Sequence, residues 1–288
     1  MGCSHLGVKF MSVSQTTNGV ASFVRGEGTP IIMLHGFPLD HRALLPLDSV
    51  IEHHGNWKRI YIDLPGMGES SKCEGIDGSQ AVLERVIAVI KELVGGQKFA
   101  IIGYSFGGLL GRAIATEMKS QVLGLCLLCP EIINDAAGRS LPHVSKNRES
   151  PEFLSELSRS DRASYLHTAA SITYENWLLF REYILPGLQA FNPDTIGAID
   201  GNRALSLPSK KMRHSGPTLV LTGKQDNMVG YSDSLSLLDL YPKMTFSVLD
   251  GGGHTLHLDK PEPVHALVSQ WLSDLRGSTD VDAKQVAQ

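Results

Sequence analysis

The sequence predicts an α/β protein whose central sheet is mostly parallel and is flanked by helices. Short apolar runs recur along the chain, and each is bounded by turn residues and followed by a longer segment of mixed polarity. Several runs are almost continuously apolar, which is typical of strands covered by helices on both faces. Right-handed crossovers between such strands order them into a parallel sheet.

Six apolar runs are the predicted strands, at residues 31–34, 59–62, 99–102, 122–128, 218–221 and 246–249. Helices are predicted between and after them. Residues 79–94 carry apolar side chains spaced to fall on one helical face. Residues 261–275 open with two prolines, which suit a helix start, and continue with the same periodicity.

The alternation of strands and helices breaks once, between residues 131 and 213. This segment is punctuated by prolines, and apolar side chains recur in three helix-like stretches at 153–157, 165–170 and 177–185. We therefore predict an α/β core formed by residues 1–130 and 214–276, with residues 131–213 inserted as a helical cap. The polar tail at 277–288 lacks a periodic apolar face and is expected to be disordered.

Composition excludes several classes of partner. The 288 residues carry 26 basic and 30 acidic side chains, a formal net charge of -4, so no basic field exists to attract nucleic acid or an anionic membrane. No apolar run reaches the roughly 18 residues of a spanning helix, and the N-terminus lacks a secretory apolar core. We expect a cytoplasmic protein with a small-molecule substrate, and its oligomeric state stays open.

Cys126 and Cys129 form a C-x-x-C pair inside the apolar run at 122–128 and its end. Buried thiols in such a strand behave as small hydrophobic side chains. No second C-x-x-C or histidine pair completes a metal site, so neither metal nor cofactor is expected. The alternative, a redox pair, requires an exposed thiol with a lowered pKa.

The clearest motif is G-x-S-x-G at residues 103–107, between the strand at 99–102 and a predicted helix at 109–118. A sharp strand-to-helix turn needs glycines on both sides of the serine, because Cβ atoms there would collide with neighbouring backbone. The turn exposes the Ser105 hydroxyl, and the helix that begins beside it offers free N–H groups.

With four further motifs, this chain resembles the α/β-hydrolase family along nearly its whole length. The motifs are H-G-F-P at 35–38, D-L-P-G-M-G-E-S at 63–70, T-G-K-Q-D at 222–226 and G-G-H at 252–254, and each follows a predicted strand. The resemblance implies a catalytic triad of Ser105, Asp226 and His254. It also implies that the backbone N–H groups of Phe37 and Phe106 form an oxyanion hole.

Asp226 and His254 each have neighbours of the same residue type that compete for the predicted role. Asp233, Asp239 and Asp250 lie near Asp226, but in a predicted helix or at a turn. His257 competes with His254, and the glycine loop together with the family register favours His254. His35 is expected to support the oxyanion loop. Candidate pocket residues are His35, Gly36, Tyr104, Trp177, Leu178 and Tyr183.

The predicted activity is hydrolysis of a carboxylic ester, thioester or lactone of a small apolar molecule through an acyl-enzyme. Carbon-carbon bond hydrolases of this fold commonly differ at the positions of Tyr104 and Thr255. Cofactor-free perhydrolases often have methionine where this chain has Phe106. Both activities stay alternatives, as does a slow-hydrolysing or non-catalytic ligand receptor on the same fold.

Overall fold

A computed structural model of the chain describes residues 15–143 and 151–286. Eight strands form one sheet: β1 Gln15–Thr17, β2 Val20–Arg25, β3 Thr29–Leu34, β4 Trp57–Ile62, β5 Phe99–Tyr104, β6 Val122–Leu128, β7 Thr218–Gly223 and β8 Met244–Leu249. The α-helices are α1 Asp48–His53, α2 Ser79–Val94, α3 Phe106–Glu117, α4 Arg159–Thr168, α5 Tyr174–Tyr183, α6 Pro193–Gly201, α7 Leu256–Asp259 and α8 Pro261–Val286.

The strands lie in the order β1-β2-β4-β3-β5-β6-β7-β8. From β4 to β8 every neighbouring pair is parallel, whereas β2 runs antiparallel to both β1 and β4. The predicted α/β class with a mostly parallel sheet is therefore confirmed. The hairpin of β1 and β2 was not predicted, although the Asn18-Gly19 turn, with positive φ at both residues, is its local signal.

Both faces of the sheet are buried, as the continuous apolar strands indicate. Along β5, Phe99 and Ile101 point into a core that α2 and α3 share, while Ala100 and Ile102 point into the opposite core with α8. Helices therefore cover both faces of the sheet, which explains why the strands are apolar along almost their whole length.

Between β6 and β7, the regular elements of the described residues are helices, apart from one isolated bridge between Phe191 and Met67. We call this part of the chain the helical segment. It contains α4, α5 and α6 with short 3-10 helices between them. Two buried side chains tie it to the core. Arg112 of α3 donates to the Ser209 hydroxyl (2.8 Å) and to the Ser209 carbonyl (2.9 Å), and Asp259 of α7 accepts from the N–H groups of Ala170 and Ser171 (3.0 Å each).

The C-terminal tail differs from its prediction. Residues 277–286 continue α8 instead of forming the expected disordered tail at 277–288, of which the last two residues lie outside the described part. A packed helix already exists at this point, so each further residue adds a hydrogen bond without a new nucleation step. No helix within the described residues has both the length and the apolar character needed to cross a membrane.

A buried ionic network joins α1 to the antiparallel edge of the sheet. The Asp48 carboxylate accepts from Arg59 Nε (3.1 Å), Arg25 Nη1 (3.0 Å) and the Tyr61 hydroxyl (2.6 Å). Burial acts to raise the pKa of Asp48, but the bonds from Arg59, Tyr61 and Arg25 outweigh it, so the pKa lies below its usual value. The ionised form of Asp48 therefore stabilises the fold.

We expect Asp48→Asn to lower the free energy of unfolding at pH 7 by roughly 3 kcal/mol, because it removes the anion that binds the buried Arg59 charge and leaves only the exposed Glu52 carboxylate at 3.5 Å. A lowered carboxyl pKa contributes stability above the unfolded value and loses it as pH falls through the folded value. The difference in free energy of unfolding between wild type and variant, measured by urea unfolding, should therefore become smaller below about pH 4. Exposed Asp239→Asn is the matched control, and a pH-independent difference would contradict the prediction.

Candidate active site

Ser105 occupies a strained turn between β5 and α3. Its backbone has φ 54° and ψ -115°, a region that side chains other than glycine rarely adopt. A Cβ at Gly103 would lie 2.5 Å from the Gly107 carbonyl oxygen, and one at Gly107 would overlap the Leu34 carbonyl oxygen. The two glycines of the motif thus allow α3 to begin directly against the strands, with the serine at the apex.

The structure brings Ser105, His254 and Asp226 into one hydrogen-bonded chain. His254 Nε2 lies 3.0 Å from Ser105 Oγ, and His254 Nδ1 lies 2.9 Å from Asp226 Oδ2. All three side chains are buried, with residue exposures of 7% for Ser105, 6% for His254 and 0% for Asp226. They follow β5, β8 and β7, so the carboxyl ends of parallel strands assemble the group.

Asp226 is held as an anion by its own loop. Its second oxygen, Oδ1, accepts from the N–H groups of Met228 (2.9 Å) and Val229 (3.1 Å). Burial acts to raise the pKa of Asp226, yet His254 and these two amides outweigh burial and lower it. An ionised Asp226 requires a proton on His254 Nδ1, which leaves Nε2 free to accept from Ser105.

The two predicted oxyanion donors belong to two chain segments that both lie against the serine. Phe106 is the first residue of α3, and Phe37 follows Gly36, where a Cβ would lie 3.2 Å from Ser105 Cβ. The rings of Phe37 and Phe106 meet edge to face with centroids 5.9 Å apart. This arrangement is compatible with an oxyanion hole, whose donors stay a prediction.

His35 connects two loops through the backbone. Its Nε2 accepts from Leu64 N (2.9 Å), so its Nδ1 donates to the Gly36 carbonyl (2.8 Å). Burial lowers the pKa of His35, which keeps the ring neutral. Asp63 binds the N–H groups of His41 (2.7 Å) and Glu69 (2.8 Å) in the same region. Both residues organise loops beside the site rather than offering a group to a substrate.

Tyr104 and His257 pack behind the histidine. The Tyr104 ring is buried, with its centroid 5.2 Å from each of the His254 and His257 rings. His257 Nε2 lies 2.7 Å from the Ala43 carbonyl oxygen, and burial lowers its pKa to about 4. The competing histidine is therefore a neutral packing residue, and Tyr104 supports the ring of His254.

The candidate pocket residues on α5 divide by burial. Trp177 is 4% exposed and contacts Tyr165 edge to face (5.4 Å) and Phe180 in a stacked arrangement (5.8 Å). Leu178 and Tyr183 are half-buried. These ring contacts place Trp177 in the interior of the helical segment. None of the ring contacts within the described residues joins Trp177 or Tyr183 to the rings of Phe37, Phe106, Tyr104 or His254.

Three residues beside the site were missed by sequence reasoning. Asp259 accepts from Gly253 N (2.7 Å), immediately before His254, and from the helical segment. Glu131 N donates to the Ser105 carbonyl (3.0 Å), and the Glu131 carboxylate forms an ion pair with Arg203. No local motif marks these residues, because their partners are distant in the sequence.

Cys129 is the third member of a group of possible metal ligands with Asp226 and His254, whose ligand atoms lie within 4.8 Å of one another. Burial, followed by the nearby Asp226, raises the pKa of the Cys129 thiol, and burial raises that of Cys126 to about 12. Metal ions require the thiolate. The donor set therefore fits a hydrogen-bonded triad better than a metal site, and both cysteines are free thiols.

We expect Cys126 and Cys129 to resist iodoacetamide in the native protein at pH 7.5, because both thiols are buried and protonated. Peptide mass spectrometry should find carbamidomethyl groups on both residues only after denaturant is added, and the denatured sample serves as the control. Labelling of either thiol in the native state would restore the redox alternative.

A family model described as the alpha/beta hydrolase fold matches residues 29–261. The crystal structure of an alpha/beta superfamily hydrolase from Oenococcus oeni PSU-1 aligns with a TM-score of 0.82 and 30% identity, covering 92% of this chain and 100% of that chain. Both matches span the core and the helical segment.

Two curated relatives are more distant. A pimeloyl-[acyl-carrier protein] methyl ester esterase of Xanthomonas campestris pv. campestris is 25% identical over 266 residues, 88% of this chain and 98% of that protein. The biotin biosynthesis bifunctional protein BioHC of Cellvibrio japonicus is 24% identical over 262 residues, and the chain spans 50% of its length. Since the family match covers most of the chain and includes the elbow and both other triad loops, this chain belongs to the α/β-hydrolase fold family.

Proposed function

We propose that this protein is a carboxylic ester hydrolase that uses Ser105 as nucleophile, His254 as general base and acid, and Asp226 as the carboxylate that orients the histidine. The observation that carries the proposal is the chain of hydrogen bonds from Asp226 through His254 to Ser105 at the apex of the strained turn. A structural serine needs neither the strained backbone nor a buried histidine oriented by an anion.

The reaction follows from this geometry. Ser105 Oγ attacks the acyl carbon while His254 Nε2 takes its proton, and the negative charge moves to the carbonyl oxygen. The N–H groups of Phe37 and Phe106 receive that oxyanion. The leaving alcohol takes the proton from His254, and water then releases the acid by the same two steps. Asp226 stays ionised throughout and stabilises the imidazolium.

An ester of a small molecule is the substrate class that this site suits best. The methyl ester esterase among its relatives acts on an ester, which supports the same bond class here. The helical segment at 131–213 acts as a cap that shapes the acyl pocket, with half-buried Leu178 and Tyr183 as candidate wall residues. The cytoplasmic location stays a prediction.

Ser105→Ala is expected to lower kcat for p-nitrophenyl butyrate by about 10⁴-fold or more, because water must then attack without a covalent intermediate. A fluorophosphonate probe should label Ser105 in the wild type and fail to label the variant. The measurement is initial rate together with intact mass. Ser160→Ala, an exposed serine of α4, is the control with unchanged rate. Equal turnover by Ser105→Ala would disprove the mechanism.

Asp226→Asn is expected to lower kcat by about 10⁴-fold, because the amide no longer selects the productive tautomer of His254. Melting temperature is measured alongside the rate, so that loss of the fold is distinguished from loss of chemistry. Exposed Asp250→Asn is the matched control and should retain kcat within about twofold. Retained kcat in Asp226→Asn would assign the acid role to another carboxylate.

A further inference from the structure

Arg203 contacts both residues that are proposed to bind the oxyanion. Its guanidinium carbon lies 4.6 Å from the centroid of the Phe37 ring and 4.6 Å from the centroid of the Phe106 ring. Arg203 comes from the helical segment, two residues after α6, whereas the two phenylalanines belong to the core. One side chain of the helical segment therefore contacts both the loop after β3 and the first residue of α3.

The Glu131 carboxylate forms an ion pair with this guanidinium. This carboxylate is 2% exposed and forms a second ion pair, at 3.4 Å, with Arg139. The N–H of Glu131 donates to the Ser105 carbonyl (3.0 Å), so the same residue also binds the elbow. The side chain of Asn134 fixes the Arg203 backbone through the Arg203 carbonyl (2.9 Å).

The buried ion pair between Glu131 and Arg203 carries a large desolvation cost. Arg203 Nη1 and Glu131 Oε1 are buried and have no hydrogen-bond partner among the described residues, so desolvation of the two charges is only partly offset. An apolar contact would stabilise the fold as well or better. A guanidinium suits this position, since its fork of N–H donors pairs with the carboxylate while its planar faces contact aromatic rings.

We propose that Arg203, held by Glu131, is a positioning residue that keeps Phe37 and Phe106 in the arrangement in which their N–H groups bind the oxyanion. The proposal rests on the proposed function. It gives Glu131 and Arg203 a role in that function, as a pair that connects the helical segment to the core. It implies that the oxyanion hole forms only when the helical segment is docked. Small displacements of a catalytic donor are costly, since about 1 Å corresponds to about a 10²-fold loss in rate.

The test compares Arg203→Lys, Arg203→Gln, Glu131→Gln and the Glu131→Gln/Arg203→Gln double variant. For each, kcat and KM are measured with p-nitrophenyl butyrate, together with the affinity for an alkyl trifluoromethyl ketone. Ser105 Oγ adds to the ketone carbon and His254 takes the proton, which leaves an oxyanion in the same hole. The ketone therefore reports the hole without turnover.

We expect each Arg203 variant to lower kcat by 10- to 100-fold, with KM within about threefold. Affinity for the ketone should fall by the same factor as kcat. Lysine should not rescue, because its ammonium lacks the planar faces and the fork of donors with which Arg203 contacts both rings and Glu131. The double variant should lose no more than Arg203→Gln alone, since both substitutions remove one coupled pair.

Arg181→Gln, an exposed arginine of α5, is the control and should retain all three quantities. Thermal melts identify any variant that fails to fold. If Arg203→Gln fails to fold, Arg203→Lys and Glu131→Gln still test the proposal. A raised KM with unchanged kcat, full rescue by lysine, or a fall in kcat without weaker ketone binding would each overturn the positioning role. A wild-type protein that neither hydrolyses the ester nor reacts with fluorophosphonate would instead overturn the proposed function.

Discussion

The close approach of α3 to the strands at Ser105 is the constraint on which the rest of the site depends. It is possible only because Gly103 and Gly107 lack side chains where backbone atoms meet. The Ser105 N–H donates to the Leu128 carbonyl (2.9 Å), and its carbonyl accepts from Glu131 (3.0 Å), so the end of β6 holds the strained residue on both sides. The strain therefore persists without any covalent restraint, and the first N–H groups of α3 lie directly beside Ser105.

Buried carboxylates organise the loops that meet this turn. Asp226 binds two N–H groups of its own loop and one histidine nitrogen, and Asp259 binds the histidine loop and the helical segment. Asp63 does the same for the loops beside His35. Each anion is stabilised by several donors, which compensates for its removal from water. Loops that connect different strands thereby acquire fixed relative positions around Ser105.

The helical segment also brings charged side chains close to the turn at Ser105. The low overall charge of the chain suggests a neutral, apolar environment for the substrate, yet Glu131, whose N–H donates to the Ser105 carbonyl, pairs with Arg139 and Arg203. The two arginines and the one glutamate leave this cluster with one net positive charge. Arg203 also contacts the rings of Phe37 and Phe106, so the proposed oxyanion donors lie next to the cluster.

The sequence by itself determined the α/β class and six of the eight strands, because these depend on local periodicity. Its short motifs, through their resemblance to a known family, predicted Ser105, Asp226 and His254 as the candidate triad. It also distinguished His254 from His257, which the structure places against a backbone carbonyl. The edge hairpin, the helical continuation of α8 and the roles of Glu131, Arg203 and Asp259 were decided only by the tertiary structure. Glu131 and Arg203 are 72 positions apart, and a polar side chain acquires its role only when folding brings its partner within reach and excludes water from both.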